Sequence, residues 1–168
     1  MKKGFVSTVL VLVIITILAA CGKQAVNPVA VDEKNDKCAT CNMAVTNNQY
    51  ATEVVLENGK ALKFDDIGCM YKWLQENSGE KLQAKFVRDY NTKEWVPSEK
   101  ATYVYETSIK TPMAYNVISF QNKSDAESYV KNQKGSVLSY EDLNNHKWEM
   151  NKEMMKMMKD NKAMNPTN

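Results

Sequence analysis

An Asn-Gly pair, Asn58-Gly59, stands between two stretches that favour extended backbone. It is the strongest short signal for a β-hairpin. Tyr50 to Leu56 supplies the first strand and Ala61 to Phe64 the second. Asp65 or Asp66 then caps a helix from about Ile67 to Glu76, whose apolar residues Ile67, Met70, Tyr71 and Leu74 fall on one face. Asn77-Ser78-Gly79 stops it, and Leu82 to Tyr90 alternates as a third strand. The order then recurs. Thr102 to Ile109 and Tyr115 to Phe120 read as strands. Ser124 to Asn132 reads as a helix with Ser124 and Glu127 as a capping box, Gly135 ends it, and Val137 to Tyr140 is a short strand. The chain is therefore expected to be α+β: two similar ββαβ units, about 38–92 and 100–143, with mostly antiparallel strands.

What precedes the first unit has a different character. Lys2 and Lys3 lead an apolar run from Val9 to Ala20 that is too short to span a bilayer with confidence. Leu18-Ala19-Ala20-Cys21 closes it and resembles the lipobox of a bacterial lipoprotein. That resemblance implies a signal peptide over residues 1–20, acylation (palmitate among the lipids) of Cys21, and a cell-membrane anchor on the extracytoplasmic side. Residues 21–37, with Pro28 and no regular period, are expected to be a lipidated cysteine and flexible tether. Loss of Lys2 and Lys3 leaves 20 basic and 20 acidic residues. A chain so balanced has no surplus of positive charge for nucleic acid, and none is expected as a partner.

The tail, 144–168, is rich in Met and Lys. Met150, Met154, Met157 and Met158 recur on one helical face, so a helical tail is expected. It either docks on the domain or membrane as an ordinary amphipathic helix, or offers thioethers to a soft metal.

Chemistry concentrates in sulfur. A single histidine, His146, excludes any site that needs two, and its polar surroundings suggest a solvated surface residue. With Cys21 acylated, Cys38, Cys41 and Cys69 remain, an odd number that cannot be paired completely. Cys38-Ala39-Thr40-Cys41-Asn42-Met43 sets two thiols and a thioether within six residues, a donor set that suits Cu(I) and not Mg²⁺ or Ca²⁺. Cys69, near a helix start, either completes that sulfur site or is a buried core cysteine. Met113, in the turn Thr111-Pro112-Met113-Ala114, is a further candidate ligand. Trp73, Trp95 and Trp148 read as packing residues. No phosphate loop, nucleophile elbow or separated carboxylate pair is present, so no enzyme activity is expected.

These features together resemble the NosL family, lipoprotein accessory factors of nitrous oxide reductase. The resemblance rests on the lipobox, on Cys38-x-x-Cys41-x-Met43, on Tyr50 through Phe64-Asp65-Asp66-Ile67-Gly68-Cys69-Met70, on Pro112-Met113, and on Asp125-Ala126 and Lys134-Gly135. It covers Cys38 to about Leu143. It implies a monomeric Cu(I)-binding metallochaperone that delivers copper for the copper-sulfide centre of nitrous oxide reductase, with Cys38, Cys41, Met43 and Met113 as ligands. Some members carry a histidine close after the methionine equivalent to Met113, where this chain has Tyr115. The competing expectation is a thiol-disulfide protein that keeps the cysteines of another metalloprotein reduced.

Overall fold

The computed structural model describes residues 26–164, so the signal segment and Cys21 lie outside the described residues. The first unit comprises β1 (Thr52–Leu56), β2 (Ala61–Phe64), α1 (Ile67–Glu76) and β3 (Leu82–Arg88). The second comprises β5 (Thr102–Tyr105), β6 (Val117–Phe120), α2 (Lys123–Gln133) and β7 (Ser136–Leu138). Between them runs a strand absent from the sequence reading, β4 (Trp95–Pro97), and after them comes α3 (Lys152–Met164). The sheets are ordered β2-β1-β3-β4 and β6-β5-β7, with every neighbouring pair antiparallel. In both units the first strand is central, its hairpin partner lies on one side, and the strand after the helix returns on the other. The fold is the expected α+β arrangement, with the two units sharing one topology.

Local chemistry explains where elements start and stop. Gly59, at φ +83°, takes the left-handed position of the hairpin turn. The expected strand from Tyr115 begins only at Val117, because Ala114 and Asn116 have φ of 53° and 62° and bend the chain first. The helix expected from Ser124 begins at Lys123. Asn122 is extended and its carbonyl accepts the amides of Asp125 and Ala126, so Ser124 falls inside the first turn and the expected capping box is not made.

The expected tether ends earlier than Lys37. Glu53 is wholly buried on β1, and both its oxygens accept the Val29 amide at 3.1 Å. Lys63, opposite Glu53 on β2, pairs with its carboxylate and donates to the Val29 carbonyl. Farther on, Val45 N–H bonds the Asp36 carbonyl and Lys37 bridges to Ala44. Residues 29–37 are thus tied to the rest of the protein by hydrogen bonds at both ends. A buried charge pair of this kind needs its remaining polar valences filled, and the backbone at Val29 fills them.

Asp89 joins the two units. It is 1% exposed; Oδ2 accepts Gln121 N–H at 2.7 Å, and Oδ1 accepts the amides of Asn91 and Thr92 at 2.9 and 2.7 Å. Nearby, Ser119 Oγ donates to the Arg88 carbonyl and Tyr90 N–H to the Ser119 carbonyl. One core of Val54, Phe64, Met70, Val87, Tyr103 and Leu143 runs through both units, and a smaller one lies beneath α2. Among the described residues no helix is long and apolar enough to cross a membrane.

Burial alone would raise the Asp89 carboxyl; the amides of Gln121, Thr92 and Asn91 outweigh it and hold the group below its ordinary value of 3.8. Its stabilisation is therefore full above 3.8 and lost as pH falls through the lower folded value. Asp89→Ala should cost about 2–4 kcal/mol at neutral pH by urea denaturation, with a smaller deficit at about pH 2–3. A pH-independent deficit would contradict this.

Candidate metal centre

The loop before β1 folds back on itself at Cys38. Its amide donates to the Met43 carbonyl at 2.8 Å, and Asn42 N–H returns to the Cys38 carbonyl at 2.9 Å. Asn42 closes this turn at φ 60°, which asparagine tolerates better than most residues. The loop is then tied to the first unit twice: Ala39 N–H bonds the Lys63 carbonyl at the end of β2, and Thr40 Oγ1 bonds the Cys69 carbonyl at 2.8 Å. These bonds bring Cys38 and Cys41 over the start of α1, beside Cys69.

The start of α1 is set by Asp66, which is wholly buried. Its Oδ1 accepts Gly68 N–H at 2.9 Å, an N-cap, and its Oδ2 accepts Met113 N–H at 2.9 Å from the second unit. One carboxylate therefore positions both the helix that carries Cys69 and the turn that carries Met113. Gly68 permits this approach. A Cβ there would lie 1.9 Å from Cγ of Tyr115, so the Tyr115 ring lies directly on the helix backbone next to Cys69.

The result is a compact donor set. Sγ of Cys38, Cys41 and Cys69 and a carboxylate oxygen of Asp65 lie within 4.8 Å of one another. Cys38 and Cys69 are buried; Cys41 is half-buried and gives the set its open side. The Cys41 thiol lies 3.4 Å from both Asp65 oxygens, and Cys41 N–H donates to Cys38 Sγ at 3.5 Å. Sequence reasoning treated Asp65 only as a possible helix cap. The adjacent Asp66 takes the cap, which leaves Asp65 free to face the thiols.

Packing four acidic groups together divides their protons unequally. The thiol of Cys69 stabilises a thiolate at Cys38, whose proton is held well below the ordinary thiol range despite burial. Cys69 is pushed up because its proton is shared with Cys38 and because it is buried. Burial pushes Cys41 up to about 12, with the charges of Asp65 and Cys38 adding to it. Asp65 rises to about 6 through burial and the neighbouring Cys38. Cys38 is thus the thiol that ionises first, a point of attachment for a soft cation.

The remaining sulfur candidates lie around this set. Met43 is 54% exposed on the loop. Met113 is half-buried, anchored by its amide to Asp66, packed against the core that holds the cysteines, and borders a groove beside α3. His146 is not the solvated residue expected: it is half-buried, with its ring 4.9 Å from Tyr105 and 4.7 Å from Trp148. Burial lowers its pKa. Trp148 stacks on Tyr71 of α1 at 4.5 Å and meets Tyr115 at 6.3 Å, so an aromatic layer backs the helix that bears Cys69. Of the expected methionine face, Met154 is buried but Met157 is 57% exposed.

Comparison with known proteins agrees with this architecture. The family profile described as NosL matches residues 28–148. The chain belongs to the NosL family. The copper-binding lipoprotein NosL of Stutzerimonas stutzeri is 27% identical over 140 residues, spanning 75% of this chain and 73% of that protein. The crystal structure of the copper chaperone NosL from Shewanella denitrificans superposes with a TM-score of 0.60 at 20% identity, over 72% of this chain and 96% of that one. The NosL match begins at residue 28, beside the Val29 backbone that anchors to Glu53 and Lys63.

Alanine is favoured over glycine within a helix by about 1 kcal/mol. At Gly68 the clash with Tyr115 reverses that sign. Gly68→Ala should destabilise the protein by about 1–3 kcal/mol in urea denaturation. An unchanged or increased stability would show that Tyr115 does not press on α1.

Proposed function

We propose that this chain is a non-enzymatic Cu(I) carrier. The observation that carries the reading is the convergence of three thiols and the Asp65 carboxylate within 4.8 Å, with Cys41 at the open side. Thiolates are soft donors and favour Cu(I) over hard cations. In this reading Cys38, Cys41 and Cys69 hold the ion, and Met43 and Met113 supply thioethers at the edge of the site. Asp65 accepts the Cys41 thiol and is placed to take its proton when the metal binds. A Cu(I) ion held by few sulfur donors leaves room for an incoming ligand. Copper then passes to a recipient by ligand exchange, without release into water.

The names of the two relatives, a copper-binding lipoprotein and a copper chaperone, support copper as the cargo. Membership of the NosL family, together with the lipobox at Leu18-Ala19-Ala20-Cys21, supports the rest. We infer a monomer anchored through lipid on Cys21 to the extracytoplasmic face of the cell membrane. Its recipient is nitrous oxide reductase or its assembly machinery, and the copper is destined for the copper-sulfide centre. Three cysteines and an aspartate are also a set that Zn²⁺ accepts in tetrahedral geometry. The flanking thioethers favour Cu(I) over zinc.

Anaerobic titration against a competing chelator tests the reading, on protein that starts at Gly22. One equivalent of Cu(I) should bind tightly and resist a large excess of Zn²⁺. Cys38→Ser and Cys69→Ser should each weaken it by more than the ~10–100-fold typical of outer groups around a metal. Met43→Ala should weaken it less. Reduced protein that binds no Cu(I), or prefers zinc, would overturn the proposal. A reversible Cys38–Cys41 disulfide in that protein would favour the thiol-disulfide alternative.

A further inference from the structure

Val29 is fastened by its backbone and not by its side chain. Both oxygens of Glu53 accept its N–H, and its carbonyl accepts Lys63 Nζ, while the side chain stays 53% exposed. Glu53 and Lys63 face each other across β1 and β2, and both are buried. Stability gives no general reason for such a pair, since well-packed apolar residues often replace a buried ion pair at no loss. What apolar residues cannot do is satisfy both polar groups of a passing peptide residue. The carboxylate and the ammonium together do so. The same strand carries the cysteine loop: β2 is an edge of its sheet, and the Lys63 carbonyl accepts Ala39 N–H, next to Cys38. Lys63 thus holds the incoming chain by its side chain and the cysteine loop by its backbone.

We propose that Glu53 and Lys63 form a backbone clip that shortens the lipid tether and holds the cysteine loop close to the membrane surface. Chain lengths carry the argument. Cys21 to Val29 is eight residue steps, at most about 29 Å when fully extended. With the clip open, the next hydrogen bond that joins this segment to the rest of the protein is Asn47 N–H to Glu33 Oε1. That point is twelve steps from Cys21, a reach of about 43 Å. The Glu33 bond is exposed, whereas the clip is made by buried groups, so the clip is the firmer fastening. It leaves the edge of the first unit, and the loop beside it, near the headgroups. A partner that exchanges copper with this loop therefore presents its donors within the same layer above the lipid. Acylation of Cys21 and the copper cargo rest on the reading above; the clip itself does not.

The test is NMR of the full mature, acylated chain with ¹³C-methyl methionine, in phosphatidylethanolamine–phosphatidylglycerol nanodiscs that carry a spin-labelled headgroup. No copper is added, so the outcome is independent of the metal reading. Relaxation of the Met43 methyl reports the height of the cysteine loop, and amide exchange at Val29 reports the clip. Wild type should show a strong loss of the Met43 signal and slow exchange at Val29. Glu53→Leu/Lys63→Met removes both partners of Val29 at similar volume and should fold. In it, exchange at Val29 should become fast and the Met43 signal should return towards that in unlabelled discs. Val29→Pro removes only the donated N–H and should recover part of that signal, even where the double variant fails to fold. A Met43 signal untouched by the label in wild type, or lost equally in wild type and the variants, would overturn the proposal. Mass spectrometry reads the lipid separately. A chain with no lipid on Cys21 would refute the anchor reading and the proposal with it, whereas acylated protein with fast exchange at Val29 would refute the clip alone.

Discussion

The carboxylate of Asp66 organises the region on which the chemistry depends. It is wholly buried, and burial raises its pKa to about 6. An unpartnered charge in that place would be destabilising. It persists because one oxygen accepts the Gly68 amide and the other the Met113 amide. The first bond sets the start of α1 and so the position of Cys69. The second draws in the turn of the other unit. Gly68 and Tyr115 close the same joint by direct contact. The two units share a topology but do not contribute equally. The first supplies every thiol, and the second supplies Met113 and the aromatic backing.

The duplication itself was legible. Hydrophobic period and turn chemistry named all six strands and both helices of the two units, because those signals are local. Strand ends were less legible, since the left-handed residues Ala114 and Asn116 are types that usually adopt other conformations. Strand β4 was not seen. It is three residues long, contains a proline, and is held by pairing with β3 and by Trp95 lying under the Arg88 guanidinium, 3.8 Å from the ring centroid. Such a strand exists through its partners more than through its own sequence. The hydrogen-bonded segment at Val29 was hidden for the same reason: its bonds go to Glu53 and Lys63, more than twenty residues away.

The site divides along similar lines. Cys38, Cys41 and Met43 declare themselves by spacing. That Cys69 joins them depends on the loop docking through Ala39 and Thr40. Asp65 was the harder case. Two adjacent acids precede a helix, and only the structure separates the one that caps it from the one that faces the thiols. His146 had looked solvated among polar neighbours, yet it stands between Tyr105 and Trp148. The methionine tail likewise separates into a buried residue, Met154, and exposed ones only when α3 is placed on the Met113 turn.

The central claim is that Cu(I) is held by the cysteines gathered at the head of α1. Copper K-edge X-ray absorption on the protein loaded with one equivalent of Cu(I) tests it most directly. The account predicts a low-coordinate ion with a shell of sulfur, altered when Cys69 is replaced by serine. A shell dominated by nitrogen or oxygen, or one indifferent to Cys69→Ser, would contradict it.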